Sequence, residues 1–253
     1  MTPAWLPAAT VLRAEVGSRA FGMHTETSDH DEMGVVIEPL AAAMGVRGTY
    51  EHTVTHPTAA DPTAIDMTTY SLRKFARLAL DGNPSTLVMF YATPLHMSAY
   101  GARLRELAPA FASQRAGARF LGYMHQQKQR LMGERGQKNV NRKELVAAHG
   151  YDTKYASHII RLGYQGIEYM TTGALTLPLT GRAKQDCLGI RAGMWDLQQV
   201  LSFAGEIEVA LRDAISTTVL PEEPDEARIN QFVLDSYEAT WSAAYQEKWR
   251  ERR

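Results

Sequence analysis

Gly17-Ser18-Arg19-Ala20-Phe21-Gly22-Met23-His24-Thr25-Glu26-Thr27-Ser28-Asp29-His30-Asp31-Glu32-Met33-Gly34-Val35-Val36-Ile37 is the stretch whose reading decides the fold. An apolar lead-in, Val11, Leu12, Ala14 and Val16, runs into a Gly-Ser turn where backbone can pass close to a ligand. Asp29 and Asp31 follow at i and i+2, a spacing that puts both carboxylates on one side of an extended chain. Gly34 to Ile37 reads as a buried strand that holds them rigidly. Like charges on one strand face repel, and a divalent cation relieves the repulsion. The Gly17-Ser18 turn offers N–H groups and a hydroxyl to an anion such as phosphate. Together these parts point to nucleotide chemistry. The competing reading of Ser28 to Glu32 is an acidic turn, for which its residue types are equally suited.

The order Gly-Ser, spacer, Asp-x-Asp and apolar strand resembles the DNA-polymerase-β-like nucleotidyltransferase superfamily. The fuller string, Gly17 to Gly22, Ser28 to Asp31 and Gly34-Val35, looks like its RNA-repair-pathway (RlaP-like) branch. The resemblance covers roughly residues 15–38, 64–92 and 150–178. It implies that Asp29 and Asp31 bind a divalent metal, Mg²⁺ or Mn²⁺, one ion bridging nucleotide phosphates and a second activating the attacking hydroxyl. It also implies a third carboxylate on the following strand, orienting or deprotonating the acceptor, for which Asp66 is the candidate. Asp66 sits in an apolar, strand-like context, where an unpaired carboxylate is costly. Asp61, a loop residue before Pro62, and Glu51 on the preceding strand compete for the role. Gly17, Ser18 and Arg19 would contact the triphosphate, Arg19 through its guanidinium fork. An ion pair from Arg19 to Glu15 or Glu26 is the plainer alternative.

A second cluster lies at Tyr151-Asp152-Thr153-Lys154-Tyr155-Ala156-Ser157-His158-Ile159-Ile160-Arg161-Leu162. On a helix Lys154, His158 and Arg161 fall at i, i+4 and i+7 as one cationic stripe, with Tyr151 on the same face one turn earlier. The segment is similar to the family's helix that closes over the nucleotide, and by that resemblance Lys154 neutralises the β- and γ-phosphates. An amphipathic helix with a solvated basic face is the alternative, and His158 is more often a helix-surface histidine. Lys138, Arg142 and Lys143 could guide a nucleic-acid strand or a triphosphate, although a solvated loop explains them as well. The sequence departs from the family at Asn83-Pro84-Ser85-Thr86-Leu87-Val88-Met89-Phe90, where Val88 or Met89 stands in place of a common glutamate.

The rest of the chain sets bounds. Its 253 residues suffice for one large or two small cores. No run approaches the roughly 18 apolar residues of a membrane span. The N-terminus lacks a secretory pattern, and the single cysteine, Cys187, excludes a disulfide framework, so a cytoplasmic protein is expected. The histidines show no zinc spacing. Net charge is −1, yet residues 101–160 carry 11 Lys and Arg against 4 Asp and Glu, a bias suited to a polyanion such as RNA or to a solvated surface.

Strands are expected at 33–38, 50–56 and 63–67, the last with Asp66 near its end, and residues 8–16 read as helix or strand. Ser71 to Leu80 is a capped helix stopped at Asp81-Gly82-Asn83-Pro84, and a short helix follows from Ser85 to Tyr91. Helices are expected near 99–108, 113–133, 141–171, 192–219 and 225–250, the third with a break at Gly150 or Gly163. Met194, Trp195, Trp241, Tyr245 and Trp249 read as core. The expected fold class is therefore α+β, with a nucleotidyltransferase head over residues 1–95 and an all-helical body over 96–253 completing the nucleotide and acceptor site. By the resemblance, the protein transfers an NMP from an NTP to an acceptor hydroxyl, with an RNA 3′ end suggested by the family name. A protein or small-molecule acceptor stays open, as does a nucleotide or RNA sensor that does not turn over.

Overall fold

The computed structural model describes residues 2–26, 28–46, 48–56, 65–134 and 142–251, with the side chains of 246–251 excepted. Thr27, Asp61, Pro62, Thr63, Ala64, Lys138 and the Trp249 side chain therefore lie outside the described residues. Five strands form one sheet in the order β3-β4-β2-β1-β5. They are β1 (Thr10–Glu15), β2 (Asp31–Val36), β3 (His52–Thr55), β4 (Asp66–Ser71) and β5 (Pro94–Met97). β2 and β4 are parallel and every other neighbouring pair is antiparallel. Residues 37–65 supply the long connection that a parallel pair requires.

One strand expectation was left open and is resolved, and another needs correction. The chain at 8–16 is helix and then strand, because Leu6–Ala9 makes one turn with a proline in its first turn before β1 begins. The third expected strand is shifted: β4 starts at Asp66 and runs to Ser71, so the carboxylate opens the strand instead of closing it. β5 was not anticipated. It is short, begins with proline and lies at the sheet edge, where a missing N–H is tolerated.

The helices that position the site are α1 (Gly17–Ala20), α2 (Leu72–Leu80), α3 (Ala99–Glu106), α4 (Arg115–Leu131), α5 (Thr153–Thr172), α6 (Gly181–Arg191), α7 (Leu197–Thr217) and α8 (Glu226–Glu251). Ser71 caps α2 by accepting from the Lys74 N–H at 3.1 Å, and Gly82 leaves it at φ +69°. The expected long helix breaks at Gly150, which adopts φ +80°. It continues unbroken through Gly163, whose missing side chain is a packing feature: a Cβ there would stand 2.1 Å from Ile207 Cγ2. α6 was missed because it buries little more than Cys187 and Ile190 and so shows no apolar stripe.

α5 is the central helix of the body, packed on α4, α6 and α7. Ile159, Ile160, Leu162, Tyr169 and Met170 supply its buried face, and Tyr169 meets Phe120 of α4. α8 returns to the sheet. Tyr237 Oη donates to Glu38 Oε2 at 2.8 Å and accepts from the Arg73 N–H, while Trp241 Nε1 donates to the Glu38 carbonyl. Trp195 packs on Phe203, whereas Met194 and Tyr245, read as core, are exposed. No described helix is long and apolar enough to cross a membrane.

Candidate active site

The site forms where β1 ends and β2 and β4 begin. Asp31 and Asp66 are register partners across the parallel pair, each the first residue of its strand. The chain leaves β1 at Val16, whose N–H donates to the Asp31 carbonyl at 2.8 Å, and turns at Gly17. Gly17 adopts φ +61°, and a Cβ there would stand 2.1 Å from Asp31 Oδ2. The close approach that Gly17 permits is thus to the Asp31 carboxylate. His30, between the two aspartates, turns to Glu15, with Nδ1 3.1 Å from Oε1.

α5 forms the facing wall. Asp152, with no exposed surface, caps it by accepting from the Lys154 and Tyr155 N–H groups and also receives the Arg142 N–H and guanidinium. The cap fixes the helix phase. Lys154, His158 and Arg161 then line one cavity of about 200 Å³ with Gly17, Ser18, Asp29 and Asp31. The guanidinium of buried Arg161 lies 3.8 Å from the centre of the Phe21 ring, and its Nη1 donates to Gln165 Oε1 at 2.5 Å.

Opposed charges meet across this cavity. The Asp31 carboxyl is held above its ordinary range by burial and then by the Asp66 and Asp29 charges, with Lys154 and His30 opposing. Lys154 is pushed down by desolvation and by Arg142 and Arg191, while Asp29 and Asp31 pull it back. Half-buried His158 is held well below the usual imidazole range by desolvation and by Arg161, Arg130, Lys154 and Arg142. Desolvation brings even Arg161 down to about 10. The cationic wall is under mutual repulsion that an anion would relieve.

Not every expected residue joins the site. Tyr151 precedes α5 instead of lying on its face, and its hydroxyl donates to the Trp195 carbonyl at 2.7 Å, so it does not line the cavity. Arg19 is turned to the loop: its Nη2 donates to the Ser28 carbonyl and its Nε lies 3.6 Å from Glu15. It braces the turn before Asp29 and also does not line the cavity. Asp66 Oδ1 lies 3.0 Å from His56 Nδ1; its strand start is in register with that of Asp31, but Asp66, with 41% of its side chain exposed, does not line the cavity. Glu51 pairs with Lys74 and Arg77, away from the cavity. Arg191 and Phe21 line the cavity without having been singled out. Arg191 ends α6, and only recognition of that helix would have revealed it.

Asp29, Asp31 and Asp66 supply hard oxygen donors, the chemistry that Mg²⁺ or Mn²⁺ takes together with substrate phosphates. Burial first, and then the Asp66 and Asp29 charges, raise the Asp31 carboxyl, and the like-charged register pair of Asp31 and Asp66 fits a cation. Among the described residues no three Asp, Glu, His or Cys side chains enclose an ion by themselves.

A mixed sheet with register-paired carboxylates at its strand starts, a glycine turn against Asp31 and a cationic helix opposite make a cleft in which acidic groups face basic ones. The family model of RlaP, the RNA repair pathway DNA polymerase beta family, matches residues 6–235, and the chain belongs to that family. Among solved structures, the chain is similar to a nucleotidyltransferase-like protein from Exiguobacterium sibiricum 255-15. The two share 11% identity with a TM-score of 0.32, over 85% of this chain and 72% of that one. No curated protein matches the chain.

Proposed function

We propose that this protein transfers an NMP from an NTP to an acceptor hydroxyl, with an RNA 3′ end as the acceptor and pyrophosphate as the second product. The observation that carries the reading is one cavity holding Asp29 and Asp31 on one side and Lys154, His158, Arg161 and Arg191 on the other. Anionic donors for a cation thus face cationic donors for a polyphosphate. Asp29, Asp31 and Asp66 would hold Mg²⁺ or Mn²⁺, which when bound supplies positive charge to phosphate oxygens and acidifies the acceptor hydroxyl.

The chain's own groups do the rest. Ser18 and the Gly17 turn meet the phosphates from the sheet side, and Lys154, Arg161 and Arg191 meet them from the helical side. The acceptor oxygen forms a bond to the α-phosphorus as the bond to the pyrophosphate oxygen breaks. Asp66 receives the hydroxyl proton, with the His56 imidazole beside it to pass that proton to solvent. Cationic side chains take up the charge developing on pyrophosphate. A cytoplasmic setting and a division into a catalytic head at 1–95 and a helical part at 96–253 belong to this reading.

Purified protein incubated with each labelled NTP, Mg²⁺ or Mn²⁺ and total RNA tests it, with pyrophosphate release and label transfer followed together. Label reaching RNA, and lost in the Asp29→Ala/Asp31→Ala double variant, is the expected result. Label on the protein itself would move the acceptor to a side chain. NTP binding without pyrophosphate would make the chain a sensor.

A further inference from the structure

On the helices around α5, surface arginines are paired with a carboxylate one turn away. Arg182 Nε of α6 lies 3.4 Å from Asp186, and Arg212 Nη2 of α7 lies 2.7 Å from Glu208. Exposed pairs of this kind contribute little to stability. Arg161 of α5 is buried, where an uncompensated charge costs most, yet the residue one turn on is the neutral amide Gln165. Among the described residues Arg161 forms no ion pair, and Gln165 Oε1 is its one hydrogen-bond acceptor. The nearby Cys187 thiol gives no counter-charge, because burial pushes it up to about 12.

The guanidinium is nevertheless held firmly. Gln165 is buried and its Nε2 has no partner, so the amide's one polar contact is the bond it accepts from Arg161. On the other side stands the Phe21 ring, whose backbone is tied by the Leu179 N–H donating to the Phe21 carbonyl at 3.2 Å. Neither neighbour neutralises the charge. Arg161 lines the cavity with Ser18, Lys154 and Arg191, so an oriented, unneutralised cation stands in its wall. That is the arrangement for an anion arriving from solution. A carboxylate at position 165 would fill the anion's place in advance.

We infer that Gln165 is a positioning residue: it fixes the Arg161 guanidinium against Phe21 and, being neutral, leaves that charge to the phosphates of the substrate. The inference rests on the nucleotide-binding reading of the cavity. Full-length protein with Mg²⁺ is titrated calorimetrically with the α,β-methylene analogues of ATP, GTP, CTP and UTP, and the tightest binder serves as the probe. The wild type is compared with Gln165→Glu, Gln165→Met, Arg161→Met and the Arg161→Met/Gln165→Met double variant. Thermal unfolding restricts the comparison to folded protein, and the cycle through methionine stands alone if the buried carboxylate of Gln165→Glu prevents folding.

Gln165→Glu keeps an acceptor for Arg161 but pairs its charge, and should weaken probe binding by about tenfold or more. Gln165→Met keeps the charge but frees the guanidinium, and should weaken binding by about three- to tenfold. In the Arg161→Met background Gln165→Met should cost nothing further, a non-additivity that a merely structural glutamine would not show. Wild-type affinity in either folded Gln165 variant, or a Gln165→Met loss that persists in full without Arg161, would overturn the inference. Wild-type affinity in Arg161→Met would overturn it too, while leaving the nucleotide reading to Lys154 and Arg191. If no analogue binds the wild type, the nucleotide reading fails and the role of Gln165 fails with it.

Discussion

Asp31 and Asp66 open two parallel strands at the same level and face each other in register. Parallel pairing puts both strand starts at one end of the sheet, so two like charges are brought together by topology, not by sequence proximity. Folding works against their repulsion, and the Asp31 carboxyl is raised by burial and by Asp66 and Asp29. Asp31→Asn and Asp66→Asn should each lower NMP transfer by roughly 10²-fold or more, the first by weakening the hold on the cation and the second also by losing a positioned proton acceptor. Neither should lower the melting temperature in the metal-free protein, because each removes one of the repelling charges. Pyrophosphate release and thermal unfolding on the same samples check both halves. A loss of activity that tracks a loss of fold would reduce these residues to structural ones.

The Gly17 turn makes a sharper separation possible. Gly17 and Gly181 both have positive φ, +61° and +54°, but a Cβ on Gly17 meets Asp31 whereas one on Gly181 meets nothing within 4 Å. Gly181→Ala should therefore cost only the left-handed conformation, about 1–2 kcal/mol, with transfer activity kept. Gly17→Ala should cost at least that much and also displace the Asp31 carboxylate, so activity falls well beyond the stability change. Equal activity in the two folded variants would show that the Gly17–Asp31 approach is incidental.

The differing legibility of these features has physical causes. Asp29-x-Asp31, the Gly-Ser turn, the Ser71 cap and the Lys154-His158-Arg161 stripe are local patterns, and local spacing sets which side of a strand or helix they occupy. The family followed from the same local string. What escaped depends on partners far along the chain. β5 exists because β1 offers it an edge, and α6 exists because Cys187 and Ile190 find a core made by other helices. Tyr151 was placed on α5 by periodicity, but the buried Asp152 cap starts the helix one residue after itself and leaves Tyr151 to bond Trp195. The Arg19 alternative, an ion pair to Glu15, is the geometry found.

The contact of α8 with the sheet carries a pH signature. Glu38 is buried and its carboxyl is raised above 4.5, first by burial, with its own backbone, the Tyr237 hydroxyl and Arg73 opposing. The folded state therefore favours the neutral acid more than the unfolded chain does. Above the raised value the folded protein carries a buried charge at a cost; as pH falls from that value to 4.5, the cost disappears. Glu38→Gln should thus be more stable than the wild type near neutral pH, and the difference should shrink on acidification through that window. Tyr237→Phe removes the hydroxyl donor and should cost about 1–3 kcal/mol at neutral pH and less in acid, where Glu38 is protonated. Paired unfolding curves from pH 4 to 8 check the sign. A difference that widens in acid would contradict it.

Arg191 offers a test of the cationic wall that leaves the carboxylates untouched. It ends α6, lines the cavity with Lys154 and is itself lowered by desolvation and by Arg142. Lys154 is lowered partly by Arg191, so removing that charge must let the Lys154 ammonium titrate at higher pH. Arg191→Ala should therefore raise the Lys154 pKa while weakening NTP binding by about ten- to a hundredfold, the scale of one charge-assisted hydrogen bond. The two effects have opposite consequences for Lys154, which becomes more firmly charged yet faces its anion with one fewer neighbour. NMR titration of methyl-labelled lysines reads the first effect and calorimetry the second. A raised Lys154 pKa with unchanged NTP affinity would place the triphosphate away from α6, on Lys154 and Arg161 alone.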